Sequence, residues 1–262
     1  MIRSQEIKER AREYGVPTST IERDYAQNWL LKHLCHPDII LKGGTGIKKV
    51  YHENYRFSDD LDFSLTHPFK NKDLFIHMNE AVDKAKEEVG INFQISIKLD
   101  KTETGFRGKI YFNIIQNATG TPLSIKVDIT DYDNEIILLP TEKKKIFHPY
   151  SDELNAEIEA YSLEEIFTEK IRALVQRTRV RDLYDVGMLY DLINKDKVLQ
   201  ILEEKFNFKE VILDISSLTK RKDDFSNAWD ASLRHQFKII PDFEIFFNKV
   251  IKTISGIKNI NY

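Results

Sequence analysis

The chain has 262 residues, 41% of them hydrophobic and 31% charged, with a net charge of −3. That is globular composition, enough for one large or two modest domains. The mild negative charge excludes a molecule that is basic all over, so any nucleic-acid contact must use a local patch. A single cysteine, Cys35, excludes an internal disulfide and a cysteine-based zinc site.

No apolar run is long enough to cross a membrane, and MIRSQEIKERAREYG lacks the apolar stretch of a signal peptide. A cytoplasmic protein is expected. Residues 4–14 predict a short helix ended by Gly15 and Pro17. Thr18 or Ser19 is expected to cap a second helix over 20–34, with Ile21, Tyr25, Trp29, Leu30 and Leu34 on its inward stripe. Core packing is the preferred role for Tyr25 and Trp29, over base stacking.

The central stretch is LKGGTGIKKVYHENYRFSDDLDFSL, residues 41–65. A short apolar strand, Ile39–Leu41, runs into Gly43-Gly44, and a helix is expected from Thr45 with Ile47 and Val50 inward. After it Arg56, Ser58, Asp60, Asp62 and Ser64 share one parity, while Phe57, Leu61, Phe63 and Leu65 share the other. Asp60 and Asp62 therefore point to one face of a strand, roughly 7 Å apart. Asp59 falls on the apolar parity, so the strand is expected to begin just after it. Paired carboxylates suit a hard divalent ion, which takes one or two of them together with substrate phosphates. A glycine turn leading into a helix brings backbone N–H groups to a triphosphate. The spacing matches neither G-x-x-x-x-G-K-[ST] nor G-x-G-x-x-G.

A helix over about 72–88 follows, with Leu74, Phe75, Met78, Val82 and Ala85 inward and Gly90 closing it. Three strand-like runs come next. INFQISIKLD alternates through Ile91, Phe93, Ile95, Ile97 and Leu99. KIYFNIIQ is more continuously apolar and is expected near the centre of the sheet. LSIKVDIT turns Leu123, Ile125, Val127 and Ile129 inward, and Lys126, Asp128 and Thr130 outward. Gly105, Gly108, Gly120 and Pro122 are expected in the turns. Asp128 is a candidate third carboxylate, against the alternative of a solvent-facing strand position; Asp131 and Asp133 read as turn residues. Residues 134–160 look like connecting structure, with Lys143–Lys145 a solvated charge run.

From Ser162 the pattern is helical. Ser162 and Glu165 make a capping box, and Leu163, Phe167, Lys170, Leu174 and Arg177 fall on one stripe. Lys170 there either snorkels to solvent or meets an anion. Asp182 and Asp185, three apart, face one way. Further helices are expected over 195–205, around Trp229 and Leu233, and from Phe243 through Ile254.

Taken together, GGT, RFSDDLDF, GVPTSTIERDYAQNWLL, EEIFTEKIRALVQRTRVRDLYDVGML and DFSNAWDASL…PDFEIFFNKV resemble the AbiEii/AbiGii toxin family of polymerase-β-like nucleotidyltransferases, over about residues 16–254. The resemblance implies an α+β chain. A nucleotidyltransferase domain with a mixed sheet and flanking helices would occupy residues 1–150, and a helical bundle residues 151–262. It implies Asp60, Asp62 and Asp128 for Mg²⁺ or Mn²⁺, and Gly43, Gly44, Thr45, Ser58, Lys170 and Arg177 for the nucleotide. Asp60, Asp62, Asp128 and Lys170 would carry catalysis, with Asp182 or Asp185 as a further functional acid. The expected reaction moves a nucleoside monophosphate from an NTP to an acceptor hydroxyl, an RNA end such as that of tRNA, with a nearby antitoxin as protein partner. The rival readings are transfer to a small molecule such as an aminoglycoside, and a non-enzymatic nucleotide-binding module.

Overall fold

The computed structural model describes residues 1–94, 97–115 and 120–260. They form two compact units: residues 1–135 with 141–161, and residues 136–140 with the described residues from Ser162 onward.

In the first unit α1 (Ser4–Tyr14) stops where Gly15 takes a left-handed conformation. The next helix, α2 (Thr18–Leu34), starts earlier than expected. Neither Thr18 nor Ser19 caps it; Pro17 occupies the N-cap position with no side-chain cap bond. Twelve of its 17 residues are buried, on all sides. Its Glu-Arg-Asp-Tyr run spends each side chain on a different element. Glu22 accepts from the Ile115 N–H at 2.9 Å. Arg23 pairs with Asp59 at 2.9 Å, Asp24 with Lys49 at 2.7 Å, and Tyr25 donates to Asp152. Trp29 is buried in the core, as expected.

Burial opposes the Asp24 charge, but Lys49 and Lys48 beside it, with hydrogen bonds from Lys49 and Tyr150, hold its carboxyl below the usual range. A depressed folded pKa contributes stability above the unfolded value, about 3.9. That contribution is lost as the pH falls through the folded pKa. Calorimetric Tm should therefore fall more steeply below about pH 4 in the wild type than in Asp24→Asn. Identical slopes would contradict the pairing.

The sheet contains β1 (Ile39–Lys42), β2 (Asp60–Leu65), β3 (Asn92–Phe93), β4 (Lys98–Thr102), β5 (Gly105–Asn113), β6 (Leu123–Thr130), β7 (Glu142–Lys145) and β8 (Glu157–Ala160). Its order is β3-β5-β6-β2-β1-β8-β7, with β4 also paired to β5. The β2–β6 and β1–β8 pairs are parallel and the others antiparallel, so the sheet is mixed and β2 lies in its middle.

Several expectations change. INFQISIKLD is split between β3 and β4; Ile95, and Gln116 of the next run, lie outside the described residues. KIYFNIIQ is not central. Its strand β5 alternates, with Phe106, Ile110 and Phe112 buried and Arg107, Lys109 and Tyr111 exposed, because one face of the sheet is open there. Gly105 and Gly108 are within β5, and the β4–β5 turn is made by Glu103 and Thr104. Gly105 is the first residue of β5, and a Cβ there would meet the Ile129 carbonyl oxygen at 2.0 Å, which suits the position to glycine. In α4 (Asn71–Val89) Phe75 is 41% exposed, while Ala81 and Val89 are buried.

The connecting region contains the two strands with the weakest signals, β7 and β8. Lysine suits a strand such as β7, whose other edge faces away from its partner and would otherwise invite pairing. Lys143–Lys145 is thus both strand and solvated charge run.

The second unit is helical: α5 (Leu163–Gln176), α6 (Val180–Leu189), α7 (Lys195–Phe208), α8 (Ile215–Lys220), α9 (Lys222–Leu233) and α10 (Phe243–Ile260). Ser162 caps α5, accepting from the Glu165 N–H at 3.2 Å. The Glu165 carboxylate accepts from the Leu138 and Leu139 N–H groups at 3.2 and 2.9 Å and pairs with Lys205 at 2.7 Å. Lys205 also donates to the Ile136 carbonyl. The short segment 136–140 is thereby bound to the helices. Arg177, expected on the α5 stripe, follows the helix with extended backbone.

Candidate active site

The site in the first unit begins where β1 ends. Gly43 has φ +70°, a left-handed conformation that costs other residues about 1–2 kcal/mol. A Cβ at Gly43 would stand 2.5 Å from Asp62 Oδ2, and one at Gly44 would stand 2.7 Å from Arg56 Nη2 and 3.2 Å from Ser58 Oγ. The glycines thus let the backbone pass directly against Asp62, Arg56 and Ser58. The helix starts at Gly43 rather than Thr45: α3 (Gly43–Gly46) continues into a π-helical turn, Ile47–Tyr51. Ile47 and Val50 are buried as expected. Thr45 is buried, and its hydroxyl donates to the Asp60 carbonyl, tying the helix start to β2.

Strand register brings the carboxylates together. Asp62 is opposite Asp128 in the parallel β2–β6 pair, and neighbouring strands are about 4.8 Å apart. Asp60 is two residues before Asp62 on the same face. The same row continues to Lys42 on β1 and to Arg107 on β5. Arg107 Nε donates to Asp128 Oδ1 at 2.6 Å, and that carboxylate favours the charged form of Arg107. The row therefore reads Lys42, Asp62, Asp128, Arg107 and, on β4, Asp100. Asp60, Asp62 and Asp128 are partly exposed, whereas Arg56 and Lys42 are buried. Among the described residues no group of three or more His, Cys, Asp or Glu forms a ready metal cage. Two adjacent carboxylates beside a glycine turn nevertheless fit an ion that takes its remaining ligands from substrate and water.

Three residues of this site carried no role in the sequence. Arg56 shares the parity of Ser58 and Asp60, which was its available signal. Lys42 and Arg107 join the row only through strand register, which the sequence does not display.

In the second unit Lys170 Nζ pairs with Asp182 at 2.7 Å and with Asp185 at 2.9 Å, and Arg177 pairs with Asp182 at 3.1 Å. Both aspartates are buried. Burial opposes the Asp182 charge, but Lys170 and Arg177 hold its carboxyl below the usual range. Arg172 is buried, while Arg179 is exposed at the start of α6. Arg221 donates to the carbonyls of Leu174 and Val175 at the end of α5.

A family model described as "Nucleotidyl transferase AbiEii toxin, Type IV TA system" matches residues 28–249, which include every residue named in these two clusters. The chain belongs to the AbiEii family. The chain is a nucleotidyltransferase, and membership implies an NTP substrate, a divalent ion and an antitoxin partner. Its fold resembles the nucleotidyltransferase toxin MenT4 of Mycobacterium tuberculosis, with a TM-score of 0.70 at 16% identity, over 99% of this chain and 90% of that one. It also resembles JHP933 of Helicobacter pylori, with a TM-score of 0.58 at 18% identity, over 94% of each chain. None of the curated proteins matches. Among the described residues no helix is long and apolar enough to cross a membrane.

Proposed function

We propose that this AbiEii protein is a Mg²⁺-dependent enzyme that moves a nucleoside monophosphate from an NTP to an RNA 3′ hydroxyl, with tRNA the favoured acceptor. The supporting observation is the register of Asp62 on Asp128, with Asp60 beside them and the Gly43-Gly44 turn against Asp62. In this reading Asp60 and Asp62 hold the ion, with Asp128 as third ligand or as acceptor of the hydroxyl proton. When bound, the ion polarises the α-phosphate and neutralises charge on the departing pyrophosphate. The backbone at Gly43 and Gly44 cradles the phosphates with Ser58, and Thr45 fixes the turn to β2. The hydroxyl oxygen bonds to the α-phosphorus, the bond to the β-phosphate bridge breaks, and pyrophosphate leaves. Family resemblance assigns Lys170 and Arg177 to the nucleotide; within their own unit Asp182 and Asp185 set the position of Lys170. Most of the acceleration in such a reaction is positioning and electrostatic stabilisation.

Gly43→Ala tests the close approach. The new methyl group displaces either the turn or the Asp62 carboxylate, and a displacement near 1 Å costs about a hundredfold in rate. The expected result is a loss of that size in kcat/KM, with stability lowered by about 1–2 kcal/mol. Wild-type kinetics would remove the glycine turn from the site. The acceptor is tested by incubating the protein with Mg²⁺, each labelled NTP and total RNA, with an aminoglycoside in parallel. Label in RNA with one NTP supports the proposal. Label only in the aminoglycoside moves the enzyme to the small-molecule class, and label in neither favours a nucleotide-binding module.

A further inference from the structure

Beside the row Lys42, Asp62, Asp128, Arg107 and Asp100 runs a second row of different character. Register pairs Asp60 with Lys126, Lys126 with Lys109, and Lys109 with Lys98. Three ammonium groups therefore follow Asp60 across β6, β5 and β4, and the row spans roughly 14 Å at ordinary strand spacing. All three lysines are exposed. Among the described residues none of them makes an ion pair. Like charges directly opposite on paired strands cost stability, a cost that a polyanion lying along the row removes. Tyr111 is on the same face, two residues beyond Lys109, and is 39% exposed.

The row is too long for one triphosphate, and it starts at a carboxylate where the reacting end must arrive. A lysine track beside an exposed aromatic ring suits a single-stranded polynucleotide, whose phosphates meet cations while a base stacks on the ring. An acidic protein would use the lysines but has no need of the ring. The geometry points to Lys126, Lys109 and Lys98 as the track for the single-stranded backbone behind the acceptor hydroxyl, with Tyr111 stacking one base. This placement rests on the reading that the acceptor is RNA. It puts the polyanion surface on the sheet; of the α5–α6 cations, Lys170 and Arg177 are paired to buried aspartates.

The test uses the full chain and fluorescein-labelled oligouridine, followed by anisotropy across a salt series. Lys98→Gln with Lys109→Gln changes exposed positions two and three strands from Asp60. The double variant should bind oligouridine at least about tenfold more weakly at low salt. The slope of log K against log salt should become shallower by about 1.4, at about 0.7 per lost phosphate contact. Its NTP affinity should be unchanged. Lys98→Arg with Lys109→Arg should bind as wild type does. Tyr111→Leu should lose about fivefold or more with the slope retained. A double variant with wild-type affinity and slope overturns the track while leaving an RNA acceptor intact. Displacement of oligouridine by polyglutamate as effective as by unlabelled RNA of equal charge overturns the nucleic-acid assignment. Absence of oligouridine binding by the wild type removes the RNA reading itself, and the track with it.

Discussion

Asp62→Asn is expected to lower the turnover of nucleotidyl transfer by at least about a thousandfold, roughly 4 kcal/mol of transition-state stabilisation. The carboxylate stands against the Gly43 turn, opposite Asp128 and next to Asp60. An amide keeps its shape but gives up the charge that a divalent ion requires. Asp62 is partly exposed and the amide keeps its size and shape, so the variant should keep a wild-type circular dichroism spectrum. Turnover within tenfold of wild type at saturating Mg²⁺ would remove Asp62 from the metal site.

Lys170→Ala should act on stability as well as on catalysis. Its ammonium is shared between Asp182 and Asp185, which are 2% and 0% exposed. Removing one member of a buried charge cluster leaves the others uncompensated, at a cost of about 3–5 kcal/mol. Urea unfolding should show that loss in the midpoint with an unchanged slope. Kinetics taken where the variant is still folded should show kcat/KM down more than about tenfold, or 1.4 kcal/mol and above. Lys170→Arg restores the charge and should recover most of the stability. A wild-type midpoint in Lys170→Ala would contradict the buried cluster, and wild-type kinetics would return Lys170 to a structural role.

Much of this was legible in the residues because it depended on local pattern. The parity of Asp60 and Asp62, and the start of β2 just past Asp59, follow from the two-residue period of a strand. The Ser162 cap and the shared face of Asp182 and Asp185 follow from helix geometry. What escaped the sequence depended on contacts far along the chain. Lys42, Arg107 and the lysine row become neighbours of the carboxylates only once β1, β6, β5 and β4 are in register. Strands β7 and β8, EKKK and EIEA, have little strand propensity and are held by pairing, not by composition. The missing cap on α2 has the same origin: a helix buried on all sides is stabilised by tertiary partners, so its start need not carry the usual signal.

The central claim is transfer of a nucleoside monophosphate at the Asp60–Asp62–Asp128 face, and the position of the label in the NTP tests it most directly. Wild type and Asp62→Asn are each given Mg²⁺, RNA and an NTP labelled on either the α- or the γ-phosphate. The account predicts that α-label enters RNA with the wild type, that γ-label leaves as pyrophosphate, and that Asp62→Asn transfers neither. Entry of γ-label into the acceptor, or undiminished α-label transfer by Asp62→Asn, would contradict it.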